Sequence, residues 1–260
     1  MLYDDVMIAT LPMYDWPEVR NATDSWWKGL ARHIGTDVML SRPDNHASAW
    51  ERPDLLLSQT CGYPFTHALA GKVQLVATPH YAVDGCEGPF YRSIVFAREG
   101  AEPQDFRGAT AVINSQDSMS GMLALKLVFA PHAQQGRFFG KVIKSGGHAN
   151  SMKAVREGAA DVCAVDAVCV ALANACRPGM LEGLIEIARS PLVPGLPFIT
   201  TGGDPVRLRE GLARAFADPE LSAARGQLFL SGSSALEVQD YSRIIELEAA
   251  VEKNGGLQLQ

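Results

Sequence analysis

The sequence of 260 residues predicts an α/β protein of two lobes, with the chain crossing twice from one lobe to the other. Three observations carry that reading. Short apolar runs alternate with segments of helical spacing along most of the chain, the pattern of strands joined through crossover helices. Two Pro- and Gly-containing breaks, Arg98-Glu99-Gly100-Ala101-Glu102-Pro103 and Ser190 to Pro197, bracket a central block of that alternation. The loops leaving the runs are rich in Ser, Gly and Tyr, and open parallel sheets collect ligands at the carboxyl ends of their strands. The predicted division is 1–98 with 198–260 as lobe I, and 99–197 as lobe II.

The elements follow in order. Val6 to Leu11 is a continuous apolar run closed by Pro12, which suits a buried strand better than a helix. After Pro12-Met13-Tyr14-Asp15, the positions Val19, Ala22, Trp26, Trp27, Leu30 and Ile34 recur at helical spacing, with Pro17 placed to start the helix and Gly35 to stop it. Asp54 to Gln59 is a second strand, ending in the loop Thr60-Cys61-Gly62-Tyr63-Pro64. A short helix through Leu69 follows, then strands Val73 to Thr78 and Tyr91 to Ala97. In the central block, strands Ala109–Ile113, Gly140–Ser145, Asp161–Val165 and Leu184–Ala188 alternate with helices Ser120–Ala130, Ala149–Glu157 and Ala167–Ala175, which predicts parallel strands with right-handed crossovers. Phe198 to Thr201 is a strand that rejoins the first sheet. The rest is read as helical, over Val206–Ala217 with Asp204 as cap and Pro205 at the first position, Pro219–Gln227 and Ala235–Glu252. No chemistry is assigned to these last helices.

Composition bounds the function. A hydrophobic fraction of 47% with 20% charged residues fits a globular protein with a substantial core. A net charge of −6 and the lack of any basic run argue against nucleic acid and anionic membrane surfaces as partners. Met1 to Asp5 holds two acids and no basic residue, and Val6 to Leu11 is too short for a signal core or a membrane span. Read alone, the sequence is that of a soluble, unexported chain with no direct membrane insertion. The 5 cysteines form no CxxC and the 6 histidines no HxH or HxxxH, so neither a metal site nor a cofactor is expected. Cys163, Cys169 and Cys176 lie in apolar runs and read as small buried hydrophobes. Cys61 and Cys86 lie in Gly-rich loops, as a disulfide or as two free thiols.

The stretch Asn114-Ser115-Gln116-Asp117-Ser118-Met119-Ser120-Gly121 joins a strand to a helix, and its chemistry points to an anion. The first backbone N–H groups of a helix have no internal partner, Gly121 permits close approach, and Ser115, Ser118 and Ser120 add hydroxyls. A simple capping role for Ser118 is the alternative. Five further places fall at the same end of the predicted sheets: Met13-Tyr14, Thr60-Cys61-Gly62-Tyr63, Tyr91, Gly146 to Ser151, and Asp166. His148 follows a Gly pair near a helix start, as a ligand contact or a structural hydrogen-bonder. Asp166 sits in an apolar context and needs backbone N–H groups or a ligand donor. Tyr14, Tyr63 and Tyr91 each offer ring surface and a phenol to a cleft wall, or pack in the core.

These pieces resemble a known family. Ala9-Thr10-Leu11-Pro12-Met13-Tyr14, Ser58-Gln59-Thr60-Cys61-Gly62, Tyr91-Arg92-Ser93, Ser118-Met119-Ser120-Gly121, Ser145-Gly146-Gly147-His148 and Ala160 to Asp166 occur in the order seen in phosphate-, phosphite- and phosphonate-type substrate-binding proteins of ABC importers. The resemblance implies a type II periplasmic-binding-protein fold, in which two α/β lobes close on a small anionic ligand, with an ABC permease as partner and a periplasmic location. Carried over by position, Ser118, Met119, Ser120 and Gly121 hold the anion, Tyr63 and Tyr91 wall it, and His148 and Asp166 face it. The family loop often reads Ser-Thr-Ser-Gly, so Met119 removes one hydroxyl while keeping its backbone N–H. Members that bind aminoalkylphosphonates tend to carry an acid after the His, and Ala149 here argues against an amine-bearing ligand. Two other functions fit the same scaffold: a cytosolic enzyme similar to the dehydratases of menaquinone biosynthesis, using Asp166 or His148 as acid or base, and a small-molecule sensor.

Overall fold

Leu55–Gln59 is buried at every position, and a strand buried on both faces needs neighbours on both edges. The computed structural model describes residues 7–253 and 256–259, and its contacts group the chain into two units. The first holds residues up to Ala82, Glu87–Pro89 and Pro194–Asp240, and the second Val83–Cys86, Phe90–Val193 and the chain from Tyr241 onward. In the first unit the strand order is Ile8–Ala9, Leu55–Gln59, Phe198–Thr200, Gln74–Tyr81, Leu230–Ser234. Ile8–Ala9 runs parallel to Leu55–Gln59, and every other pairing in this sheet is antiparallel. Val6, where the sequence reading begins its first strand, lies outside the described residues.

Phe198–Thr200 does rejoin this sheet, with Phe198 opposite both Gln59 and Ala77. Leu230–Ser234 does not figure in the sequence reading. Its residues Leu-Ser-Gly-Ser-Ser carry neither an apolar run nor β-branched side chains, and only Leu230 is buried, so pairing with Gln74–Tyr81 is what makes it a strand. Helix Arg20–Ile34 packs on Pro205–Ala217, burying Trp26, Trp27 and Leu30. Asp204 accepts a hydrogen bond from the Val206 N–H, with Pro205 at the first helical position.

The second unit's strand order is Ile185–Arg189, Ser93–Ala97, Val162–Asp166, Thr110–Ile113, Lys141–Lys144. Thr110–Ile113 is parallel to both its neighbours, as the alternation predicts. Ser93–Ala97, which the sequence reading does not count among the strands of this block, is antiparallel to both of its own, so it runs against the four strands of the central block, which all point the same way. Ser93–Ala97 enters this sheet from the preceding chain with no crossover helix, so nothing forces it to run parallel. The sequence reading assigns this strand and the final helix to the first lobe. Ser93–Ala97 instead pairs over its whole length with Val162–Asp166, and helix Ser242–Lys253 places Glu252 3.2 Å from Lys126 of this unit. That final helix is also shorter than the Ala235–Glu252 expected.

Candidate functional site

The second unit builds its polar centre from two strand-to-helix turns. After Thr110–Ile113 the chain reaches Ser118, extended at φ −98° and ψ 125°, whose Oγ accepts from the Gly121 N–H at 2.9 Å. The capping role of Ser118 is therefore real. The Met122 and Leu123 N–H groups both donate to the Ser118 carbonyl. Leu123 reaches back five residues, so the helix opens on a wide π-type turn before continuing to Phe129. Such a turn leaves the N–H groups of Met119 and Ser120 ahead of the first intrahelical bonds. Met119, Ser120 and Gly121 are buried.

The second turn is Ser145-Gly146-Gly147. Gly146 takes φ +83°, in the left-handed region that a side chain disfavours. Ser145 Oγ bonds the Ser151 hydroxyl at 2.7 Å and the Gly147 carbonyl at 3.0 Å, which fixes the start of helix His148–Arg156. His148 is thereby aimed at the first turn, with its Nε2 2.7 Å from Ser120 Oγ. Burial pushes the imidazole down to about 4, against a smaller opposing pull from the Ala164 carbonyl, so the ring is neutral at pH 7. Its Nδ1 is buried and has no partner of normal geometry among the described residues, and the same holds for Asn114 Oδ1. Asn114 lies tight over Gly121, where a Cβ would stand 1.9 Å from Oδ1.

Asp166 ends strand Val162–Asp166 at 1% exposure and caps the next helix, its Oδ1 accepting from the Val168 N–H at 2.7 Å and the Cys169 N–H at 3.4 Å. Of the two partners open to it in sequence, backbone N–H groups take this oxygen. Tyr91 is buried in the same unit. Ser115 is half-buried and enters none of these bonds. Asp166 and Asp84 also bear on Cys86, whose thiol is pushed up to about 12, chiefly by burial. All five cysteines, Cys61 and Cys86 included, are free thiols.

In the first unit the predicted residues gather near the ends of Ile8–Ala9 and Leu55–Gln59. Tyr14 takes φ 66°, uncommon for a residue with a side chain, and its ring meets Tyr81 edge-on at 5.1 Å. Thr60 is fully buried and its N–H donates to the Pro197 carbonyl. Cys61 precedes the short helix Gly62–Thr66, on which Tyr63 stacks flat against His67 at 3.9 Å. The sequence reading leaves out Gln59 and Tyr81, joined by a 3.1 Å hydrogen bond, and the buried Thr10–Ser58 hydroxyl pair at 2.7 Å. Polar residues inside an apolar run, as at Ser58-Gln59, are the signal that could have found them.

The fold and the serine-lined helix start define the class: solute-binding proteins with periplasmic-binding-protein architecture. Residues 8–250 match the family model described as the periplasmic substrate-binding protein of phosphonate ABC transporters, and the chain belongs to that family. A binding-protein component of an ABC phosphonate transporter from Pseudomonas aeruginosa superposes with a TM-score of 0.80 at 18% identity, over 95% of this chain and 87% of that one. PhnD1 from Prochlorococcus marinus, solved in complex with methylphosphonate, gives 0.77 at 15% identity over 95% and 98%. A histidine kinase sensor domain with similarity to periplasmic binding proteins gives 0.60 at 16% identity over 87% and 97%, so the fold is shared by proteins of other roles. No curated protein sequence matches. Among the described residues no helix is long and apolar enough to cross a membrane.

Proposed function

We propose that this chain is the receptor that captures a small phosphorus oxyanion for an ABC permease, with Ser118, Met119, Ser120, Gly121 and His148 holding the anionic group. The observation that carries the reading is the helix start at Met119, where backbone N–H groups ahead of the first intrahelical bonds, two serine hydroxyls and a histidine 2.7 Å from Ser120 meet in one place. Membership of a phosphonate-binding family supports it. Roles for Tyr14, Thr60, Cys61, Gly62, Tyr63, Tyr91, Ser115 and Asp166 in ligand contact belong to the same proposal, as does residence in the periplasm.

Calorimetry against methylphosphonate, phosphite, phosphate, aminoethylphosphonate and a set of carboxylates tests it. The expected result is binding of at least one phosphorus oxyanion, weakened about tenfold or more by Ser120→Ala, the loss of one hydrogen bond to a charged group. Equal affinity in Ser120→Ala, or binding confined to carboxylates, overturns the assignment. Ala149, next to His148, leaves aminoethylphosphonate without a local carboxylate for its amine, so it is expected to bind no better than methylphosphonate.

A further inference from the structure

The proposed anion site lies in an acid-free stretch of an acidic chain. Residues 118–156 contain none of the 29 acidic residues, but hold Lys126, Arg137, Lys141, Lys144, Lys153 and Arg156. Both turns of the proposed site fall within that stretch. The second unit as a whole carries equal numbers of acidic and basic residues, so the net charge of −6 belongs to the first. Two of these cations are engaged by carboxylates: Lys126 stands 3.2 Å from Glu252, and Arg156 stands 3.6 Å from Glu157. Arg137, Lys141, Lys144 and Lys153 are exposed and form no ion pair among the described residues.

Three of the lysines are graded in distance from the turns. Lys144 pairs with Ile113 across the sheet and directly precedes Ser145, so it stands beside the entry to both turns. Four residues along the chain from it is His148, a span of at most about 13 Å. Lys153 follows His148 by five residues on helix His148–Arg156, a rise of about 7.5 Å. Lys141 lies at the other end of strand Lys141–Lys144, about 10 Å further from the turn. The opposing charge is Asp117, exposed just before Ser118. Strand Lys141–Lys144 is a sheet edge, where lysines also deter pairing with another chain. A charge of either sign serves that purpose and Lys153 has no edge to guard, whereas only one sign suits an incoming anion.

We infer that Lys144, Lys153 and Lys141 form an electrostatic guide that draws an anionic ligand to the helix start of the second unit, against the net negative charge of the chain. The inference rests on the site reading proposed above. A guide acts on encounter. It raises kon, leaves koff to the contacts made after docking, and fades as salt shortens the Debye length from about 30 Å at 0.01 M to about 8 Å at 0.15 M. It favours a dianion over a monoanion, since the pull scales with the charge of the ligand.

Binding kinetics of methylphosphonate to the full chain test the guide, at a pH above the free ligand's second pKa, where it is a dianion. Phosphorus NMR exchange gives koff, and the calorimetric Kd then gives kon. In water, one unit charge about 13 Å from a dianion changes kon about twofold at 0.01 M ionic strength. Lys144→Gln is therefore expected to lower kon about twofold and Lys144→Glu about fourfold, with koff unchanged and both differences nearly gone at 0.15 M. Lys141→Glu, further from the turn, is expected to do less than Lys144→Glu. Because Lys144→Glu keeps a charge at the sheet edge, edge protection alone would leave its kon at the wild-type value, and that result overturns the inference. An effect confined to koff makes Lys144 a ligand contact and overturns it too. Failure of every phosphorus oxyanion to bind overturns the site reading itself, and this inference with it.

Discussion

Gly121 leaves no space for a side chain, since a Cβ would stand 1.9 Å from Asn114 Oδ1 and 2.8 Å from Asn114 Cγ. Gly121→Ala is therefore expected to displace Asn114 and lower stability by about 1–3 kcal/mol, the usual cost of overpacking, read from urea unfolding. An unchanged midpoint would show that Asn114 is not fixed over the helix start. His148 supplies a second test at this scale. Its ring is held down to about 4 by burial, against an ordinary value of about 6.5 in the unfolded chain. Between those values the unfolded chain binds a proton that the folded one refuses, so stability falls as the pH drops from about 6.5 to about 4 and is independent of this group above. The penalty is on the order of 3 kcal/mol at its limit. His148→Gln removes that contribution, and unfolding curves at several pH values should show a shallower slope in that window; an unchanged slope places the imidazole in contact with water.

At the scale of the element, helix Ala167–Cys176 depends on its cap. Asp166 Oδ1 accepts from two N–H groups of the first turn. Asn caps about as well as Asp, so Asp166→Asn should leave stability nearly unchanged while Asp166→Ala loses about 1 kcal/mol. Equal losses in the two variants would mean that the charge, rather than the cap, is what the fold uses. Helix His148–Arg156 depends instead on the turn before it. A Cβ at Gly146, where φ is +83°, would meet no neighbour within 4 Å, so Gly146→Ala costs only the left-handed backbone, about 1–2 kcal/mol. Because the same turn aims His148 at Ser120, calorimetry of this variant should show a larger loss of ligand affinity than its stability change alone explains.

At the scale of the whole molecule, a ligand that binds only the folded chain stabilises it by mass action, by about 2.7 kcal/mol at one hundred times its Kd. Methylphosphonate is expected to raise the melting temperature in that concentration-dependent way, and carboxylates to leave it unchanged; a reversed order would point away from a phosphorus oxyanion. The architecture explains which parts of this were legible in the sequence. Thr110–Ile113, its serine-rich loop and the helix after it lie within one contiguous stretch, so spacing and composition disclosed them together. Leu230–Ser234 has no local strand signal and exists through its pairing with Gln74–Tyr81. The antiparallel run of Ser93–Ala97 likewise follows from its partners Val162–Asp166 and Ile185–Arg189, which lie far along the chain.

The sequence by itself determined the alternation of strands and helices, the return of Phe198–Thr200 to the first sheet and the Asp204 cap, and it offered Ser118 as a cap beside the anion-holding reading of the loop before Met119. Each is a local property, written in periodicity, in the residue before a helix or in a Gly and Ser cluster. Only the tertiary structure decided that His148 meets Ser120, that Asp166 caps its helix with Oδ1, and that Asn114 is pressed over Gly121 with its oxygen unpaired among the described residues. Those facts join residues from separate elements or depend on burial, and a pattern along the chain carries neither distance nor the loss of water.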